Sequence, residues 1–397
     1  MIVEVGAPAA GGSFVARADD GRVVFVRHAL PGERVRVEVT GEAKAFLRAD
    51  AVEVLEPSAD RVEAPCPFAG PGRCGGCDYQ HVTLAAQRRI KALLVEEQLR
   101  RLAGVERTVV VEGLSDDALG WRSRVSFSAD ADGRLGLHRH RSDDLVLVDR
   151  CLIADPGVSE AVTVTWPGAA SVEVAVEGAQ RVATVQARGR TGVTVPDLDT
   201  GVVLNGRPVA VPHGLRHEVL GRSFEVSAGG FWQVHPLAAT ALAQAVLDGL
   251  DPQPGDSVAD LYAGAGLFAS LLGERVGPTG SVTAVEGDSR ACADAARNTA
   301  DQPWVRIRTT PVTASLVAGL RADLVVLDPP RAGAGLEVTR ALAASPARAL
   351  AYVACDPASF ARDLAVLREA GWELADLRAL DLFPMTEHVE LVAVLRR

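Results

Sequence analysis

Ser257–Phe268 reads S-V-A-D-L-Y-A-G-A-G-L-F: a short apolar run closing on Asp260, a small-residue loop holding Gly264 and Gly266, and a helical apolar pattern that resumes at Leu267. A buried strand, a tight glycine turn and a helix start make the cradle a nucleotide-like cofactor needs, because glycines accept φ > 0 and let the backbone approach a ligand. Gly-Ala turns also join core elements for packing reasons alone, so the surroundings of the loop must decide. The next apolar run, 281–285, leads to Glu286, 20 residues beyond Gly266. A carboxylate there can accept from both hydroxyls of a ribose. Neither G-x-G-x-x-G nor G-K-[ST] is present, so an adenosine without a pyrophosphate fits better than NAD or ATP. S-adenosylmethionine is such a ligand.

A chain of 397 residues has room for two or three domains. At 48% hydrophobic and 23% charged residues it has the balance of a soluble globular protein. No apolar run approaches the roughly 20 residues of a membrane span. The start, M-I-V-E-V-G-A-P, lacks the basic and apolar regions of a signal peptide. A cytoplasmic monomer without membrane partners is the expectation. The net charge of −10 argues against bulk attraction to polyanions but leaves room for a local basic face. In such a compartment the six cysteines suit ligation or catalysis better than disulfides.

Residues 1–57 alternate apolar and polar positions, with turn signals at Gly11-Gly12, Asp20-Gly21 and Pro31-Gly32. That pattern predicts a small β-barrel. C-P-F-A-G-P-G-R-C-G-G-C follows at 66–77, and with Cys151 it offers four thiolates, Cys66, Cys74, Cys77 and Cys151. Zinc or an iron–sulfur cluster would each be satisfied by that set, and spacing does not separate them. Gly75-Gly76 suits a cluster, since bare amides can bond its sulfurs. A helix is predicted over 82–103, with Arg88, Arg89, Lys91, Arg100 and Arg101 as a cationic face open to RNA or simply to water. W-R-S-R-V-S-F at 121–127 and H-R-H-R at 138–141 combine cations with aromatic groups, as RNA-binding strands do. Residues 156–225 read as short β-runs completing a mixed central region. In G-G-F-W-Q-V-H-P, 229–236, two aromatics and Gln233 precede a helix and could face a base and a cofactor, or form a buried corner.

L-V-V-L-D-P-P-R, 324–331, is a buried strand that delivers Asp328 to the carboxyl edge of the sheet, where open α/β folds bind ligands. Pro329 and Pro330 exclude helix there. A-L-A-Y-V-A, 349–354, delivers Cys355 to the same edge, placed for nucleophilic work or left as an inert core thiol. D-L-F-P-M-T-E-H-V-E, 381–390, runs into a last strand opened by Glu390. A thiolate and a carboxylate beside a methyl donor suit methylation of uracil at carbon 5. The thiolate adds to carbon 6, carbon 5 attacks the sulfonium methyl, and a base then removes the carbon 5 proton so that the cysteine can leave.

The barrel at 1–57, with G-G-S-F-V-A-R and G-R-V-V-F-V-R-H-A-L-P-G-E-R-V-R-V-E-V, resembles a TRAM domain. Over its whole length the chain is similar to the RNA uracil-5 methyltransferases of the TRAM-bearing, iron–sulfur-containing branch. The matching pieces are the four cysteines, F-W-Q at 231–233, D-L-Y-A-G-A-G at 260–266, A-V-E at 284–286, D-P-P-R-A-G at 328–333, Y-V-A-C-D-P at 352–357 and D-L-F-P-M-T-E-H-V-E. The resemblance implies Cys355 as nucleophile and Glu390 as proton acceptor. It implies that Gln233, Tyr262, Glu286 and Asp328 bind S-adenosylmethionine around Gly264 and Gly266, and that the four cysteines hold a [4Fe–4S] cluster. It also implies three units: a barrel at 1–57, a mixed iron–sulfur and RNA-binding region at 58–225, and a Rossmann-like α/β methyltransferase domain at 226–397. Ribosomal RNA is favoured over transfer RNA. This chain departs from the family at Leu267 (usually Asn), at Ala354 and Asp356 (usually Y-x-S-C-N-P), at Met385, and in a longer gap between Cys66 and Cys74. Asp356 would raise the thiol pKa if it pointed inward.

Three other readings compete. D-P-P-R is similar to the D-P-P-aromatic loop of amino-methylating enzymes, against which stand Arg331 and the placed Cys355. A cytosine-5 methyltransferase would also use a cysteine but not this carboxyl-terminal Glu motif. A non-catalytic iron–sulfur RNA-binding protein would not need every catalytic group, and all are present.

Overall fold

A computed structural model describes residues 1–189 and 192–397. Arg190 and Thr191, inside the predicted β-rich stretch 156–225, lie outside the described residues. The carboxyl-terminal sheet positions the site. Its strands are β1 (Val111–Gly113), β2 (Ser257–Leu261), β3 (Ser281–Glu286), β4 (Val305–Thr309), β5 (Leu324–Leu327), β6 (Ala349–Ala354), β7 (Glu373–Asp381) and β8 (Glu390–Arg396). They lie in the order β4-β3-β2-β5-β6-β8-β7-β1. The strands from β4 to β6 are parallel neighbours, and β8 runs antiparallel between β6 and β7. From β2 the chain winds outward to β3 and β4, then crosses back to β5. The carboxyl ends of β2 and β5 therefore flank the switch point where such sheets bind ligands.

Period-two alternation assigns each side chain to one of two cores. Val258, Val326 and Ala351 face one layer of helices, and Ala259, Leu327 and Tyr352 face the other. The first layer holds α2 (Ala238–Leu250) and α3 (Leu267–Val276), and the second holds α1 (Leu84–Gln98) and α4 (Pro357–Glu369).

The amino-terminal segment forms a six-stranded sheet between Ile2 and Glu56. Ile2–Glu4 pairs with Arg34–Glu42. Just beyond, the Gly6 N–H donates to Val15 O at 2.7 Å and the Val15 N–H to Ala7 O at 2.8 Å, which brings the two ends of the sheet together. A seven-stranded sheet spans strands from Arg124–Ala129 to Arg207–Ala210, and a ribbon, Gly214–Val219 with Arg222–Ser227, packs Phe224 and Val226 against the α2 core.

Helix α1 joins the barrel to the carboxyl-terminal sheet, although sequence order places it with the central region. Ala86, Ile90 and Leu94 pack under the barrel, whereas Val95, Leu99 and Ala103 pack on the sheet. The predicted cationic face is corrected at two positions. Lys91 is fully buried, with its Nζ 2.6 Å from Asp381 Oδ1 and 3.0 Å from Phe383 O. Arg88 reaches Asp381 at 3.3 Å and Ser115 O at 2.8 Å. Both cations neutralise a buried carboxylate at the end of β7 and so are turned away from RNA. Arg89 pairs with Asp60.

Removing one partner of a buried ion pair leaves the other charge uncompensated. Lys91→Met is therefore expected to lose about 3 kcal/mol of stability in urea denaturation, and Lys91→Met/Asp381→Leu to recover at least half of it. An unchanged midpoint in the single variant would show that Arg88 alone suffices.

Candidate active site

A cleft of about 950 Å³ opens over the carboxyl ends of β2, β3, β5 and β6. Gln233, Tyr262, Gly264, Glu286, Asp328, Cys355 and Glu390 all line it. Register explains the convergence. Leu261 pairs with both Val285 and Leu327, so Tyr262, Glu286 and Asp328 emerge at one level. Ala354 of β6 pairs with Leu391 of β8, and one step further on Cys355 stands opposite Glu390. Residues opposite one another on antiparallel strands project to the same side.

The loop after β2 is conformationally demanding. Tyr262 has φ 64°, and Gly264 and Gly266 have φ 54° and 85°. A non-glycine residue in that region costs on the order of 1 kcal/mol and persists where its surroundings fix it. Gly266 does not line the cleft. It caps the start of α3, where an added Cβ would lie 3.1 Å from the Ala295 Cβ. Glu286 is already oriented, its carboxylate accepting from Gly264 N–H at 3.0 Å and Asp288 N–H at 2.7 Å.

The cleft gathers negative charge in a desolvated place. Burial raises the Glu390 carboxyl well above its ordinary range, with Asp328 adding to it and Arg331 opposing. Burial likewise raises Asp328. The Cys355 thiol is pushed up to about 11, first by burial and then by Glu390 and Asp328, while Arg331 pulls it down. Beneath the glycine loop Asp260 is buried, neither carboxylate oxygen has a close hydrogen-bond partner among the described residues, and burial raises it to about 8.

Several residues here were not legible as site residues. Arg331 and His388 both line the cleft, with Arg331 Nη2 3.1 Å from His388 Nε2. A guanidinium only donates, so His388 Nε2 accepts and the ring is neutral. Burial and Arg331 hold its pKa down at about 4. Only their membership of D-P-P-R and E-H-V-E could have signalled them. Arg290 also lines the cleft.

Other expectations are corrected. Trp232 is a buried corner, stacked on His217 at 4.8 Å and unable to face RNA, whereas Phe231 stands 70% exposed at the cleft. Phe127 is likewise buried in the core, whereas Trp121, though only 4% exposed, lines the cleft beside Arg122. The H-R-H-R run does face outward. Arg139, His140 and Arg141 share a groove of about 670 Å³ with Arg27, Arg48 and Arg73. Asp356 does not point at the thiol. Its side chain accepts from Ser359 N–H at 2.7 Å and caps α4. Leu267 and Ala354 are buried in the two cores.

Cys66, Cys74, Cys77 and Cys151 are all free thiols. Among the described residues no group of three or more His, Cys, Asp or Glu is arranged to hold a metal ion. The four thiols are nonetheless close enough to influence one another electrostatically. Burial raises Cys74 and Cys151 and pushes Cys77 up to about 12. Two donors already address sulfur: Gly76 N–H to Cys74 Sγ and Gln80 Nε2 to Cys77 Sγ, each at 3.4 Å.

The strand order, the glycine loop and the cleft define a class I S-adenosylmethionine-dependent methyltransferase. Comparison with known proteins narrows this. The TRAM domain profile matches residues 1–52. A Streptomyces coelicolor protein named as an uncharacterized RNA methyltransferase is 48% identical over 99% of this chain and 92% of its own length. The 23S rRNA (uracil(1939)-C(5))-methyltransferase RlmD of Chromohalobacter salexigens is 32% identical over 97% of this chain and 87% of its own. The crystal structure of Pyrococcus abyssi tRNA (uracil-54, C5)-methyltransferase with S-adenosyl-L-homocysteine shares the fold across 100% of both chains, with a TM-score of 0.74 at 20% identity. The chain belongs to the TRAM-bearing RNA uracil-5 methyltransferase family and is an S-adenosylmethionine-dependent RNA methyltransferase.

With its pKa raised to about 11, Cys355 is mostly protonated near neutrality. Its alkylation by iodoacetamide, followed on the Cys355 peptide, is expected to accelerate about tenfold per pH unit through the alkaline range. In the alkaline range, where Glu390 is ionised, Glu390→Gln removes a neighbouring negative charge and should speed the reaction at a given pH. A rate independent of pH would contradict the raised thiol.

Proposed function

We propose that the chain methylates carbon 5 of a uridine in ribosomal RNA, with Cys355 adding to carbon 6 and Glu390 collecting the carbon 5 proton. The observation that carries this reading is the pairing of β6 with β8, which sets Cys355 across from Glu390 in the cleft that also holds Asp328 and Tyr262. Ribosomal RNA is favoured over transfer RNA because the relative named for 23S rRNA is 32% identical over nearly the whole chain, whereas the tRNA enzyme that shares the fold is 20% identical. The target base must leave its stack to reach this edge, at a cost of a few kcal/mol.

The chain's groups have separable roles. Gln233, Tyr262, Glu286 and Asp328 hold S-adenosylmethionine, with Gly264 and Gly266 shaping the loop beneath it. The cofactor brings an electrophilic methyl on a sulfonium, whose positive charge favours the thiolate and the carboxylates of the cleft. The Cys355 thiol gives its proton to solvent as its sulfur bonds carbon 6, and the electrons of the 5,6 double bond pass to the adjacent carbonyl as an enolate. Carbon 5 takes the methyl from the sulfonium, whose thioether leaves as S-adenosylhomocysteine. Glu390 then accepts the carbon 5 proton, and the carbon–sulfur bond breaks to regenerate the thiolate. A carboxyl with a raised pKa is well matched to that exchange.

Cys66, Cys74, Cys77 and Cys151 hold a [4Fe–4S] cluster, with zinc as the second choice. An all-thiol donor set, with Cys77 and Cys151 packed against Trp121, Ile153 and Met385 and N–H groups directed at two sulfurs, is of the chemistry such a group takes. Thiols raised by burial release their protons once a cation binds.

Nucleoside analysis of RNA treated with the chain should show 5-methyluridine. Cys355→Ala should give none while still binding RNA, and Glu390→Gln should accumulate a covalent protein–RNA species on denaturing gels. Turnover near wild type in either variant would contradict the assigned roles.

A further inference from the structure

The segment that delivers Glu390 is held from several parts of the chain at once. Lys91 Nζ donates to Phe383 O at 3.0 Å, and the Met385 N–H donates to Gln87 Oε1 at 2.8 Å. The N–H groups of Asp78 and Tyr79 both donate to Met385 O at 2.9 Å. Met385 has φ 68°, a conformation that needs such surroundings to persist. Glu387 accepts from the Gly11 and Gly12 N–H groups of the barrel, the latter at 2.8 Å.

Asp78 is where these contacts cross. It directly follows Cys77 in the chain. Its Oδ1 lies 3.3 Å from Arg27 Nη2 of the barrel, its Oδ2 accepts from Glu387 N–H at 3.2 Å, and its own N–H holds Met385 O. Both members of the Arg27–Asp78 pair are largely buried. At Gly12 a Cβ would stand 2.6 Å from Asp78 Oδ1, so the barrel turn rests against this carboxylate.

We propose that Asp78 is a positioning residue that fixes the active-site segment 383–390 from the barrel and the cysteine loop, so that both set Glu390 against Cys355 without touching the reacting atoms. The proposal rests on the reading of Glu390 as proton acceptor. It gives the cysteine loop a mechanical part in methyl transfer, because Asp78, which clamps the segment, directly follows Cys77 in that loop.

The test uses full-length Asp78→Ala. Its kcat for methylation should fall about tenfold, with KM for RNA held within about twofold. Amide hydrogen exchange over 383–390 should quicken, while iron bound per chain after anaerobic reconstitution stays at the wild-type level. Asp78→Asn, which keeps an oxygen for Glu387 N–H, should restore much of the rate. Wild-type exchange and kcat in Asp78→Ala would overturn the proposal, as would a loss confined to KM. If Asp78→Ala does not fold, Asp78→Ser, whose shorter side chain does not span Arg27 and the Glu387 N–H together, takes its place in the same comparison. If the wild-type chain forms no 5-methyluridine, the reading of Glu390 fails, and the exchange of 383–390 still decides whether Asp78 clamps the segment.

Discussion

The pairing of β6 with β8 is the constraint on which the rest depends. Because β8 runs antiparallel between β6 and β7, its first residue, Glu390, meets the residue just past the end of β6, which is Cys355. Side chains alternate along a strand, so a slip of one residue would turn Glu390 to the other face and bury it among helices. The register is protected by the apolar residues it sorts: Val392 faces the α2 layer, whereas Leu391, Ala393 and Leu395 face the α4 layer. A slip would misplace all of them together.

A half-buried thiol, the buried carboxyl of Glu390, the half-buried carboxyl of Asp328 and a guanidinium within one cleft form a site whose charge state is poorly balanced in the free chain. Burial raises Cys355, Asp328 and Glu390 together, and Arg331 opposes the effect on Cys355 and Glu390. Such a site gains most from a cationic ligand, because one positive charge relieves all three groups. The same arithmetic separates a sulfonium from its neutral thioether product, which would not supply that relief. The buried Lys91–Asp381 pair lies at the other end of this arrangement, where β7 closes and the segment toward Glu390 begins. The barrel, α1 and the catalytic strand are thereby joined into one framework.

Much of the methyltransferase region was legible because its signals are local. The glycine loop, Glu286, Asp328 and Cys355 each end or follow a buried apolar run, and a strand that ends at the carboxyl edge of a parallel sheet presents its next residues to the cleft. The pairing of Cys355 with Glu390 is a long-range fact that no spacing reveals. Lys91 shows the opposite failure: on a helix rich in arginine it reads as a solvated cation, yet its partner Asp381 is 290 residues away. Trp232 and Trp121 sit beside polar residues in strand-like runs, and only tertiary packing tells that their rings are buried. Asp356 was legible in principle, since an Asp before Pro357 is a helix N-cap signature.

The most direct test of the account is to trap the enzyme with 5-fluorouridine-containing RNA and S-adenosylmethionine, then map the cross-linked peptide by mass spectrometry. Fluorine at carbon 5 cannot be abstracted as a proton, so the adduct should persist with its carbon 6 bond on the sulfur of Cys355. A cross-link at any other cysteine, or methylated RNA released without one, would contradict the account.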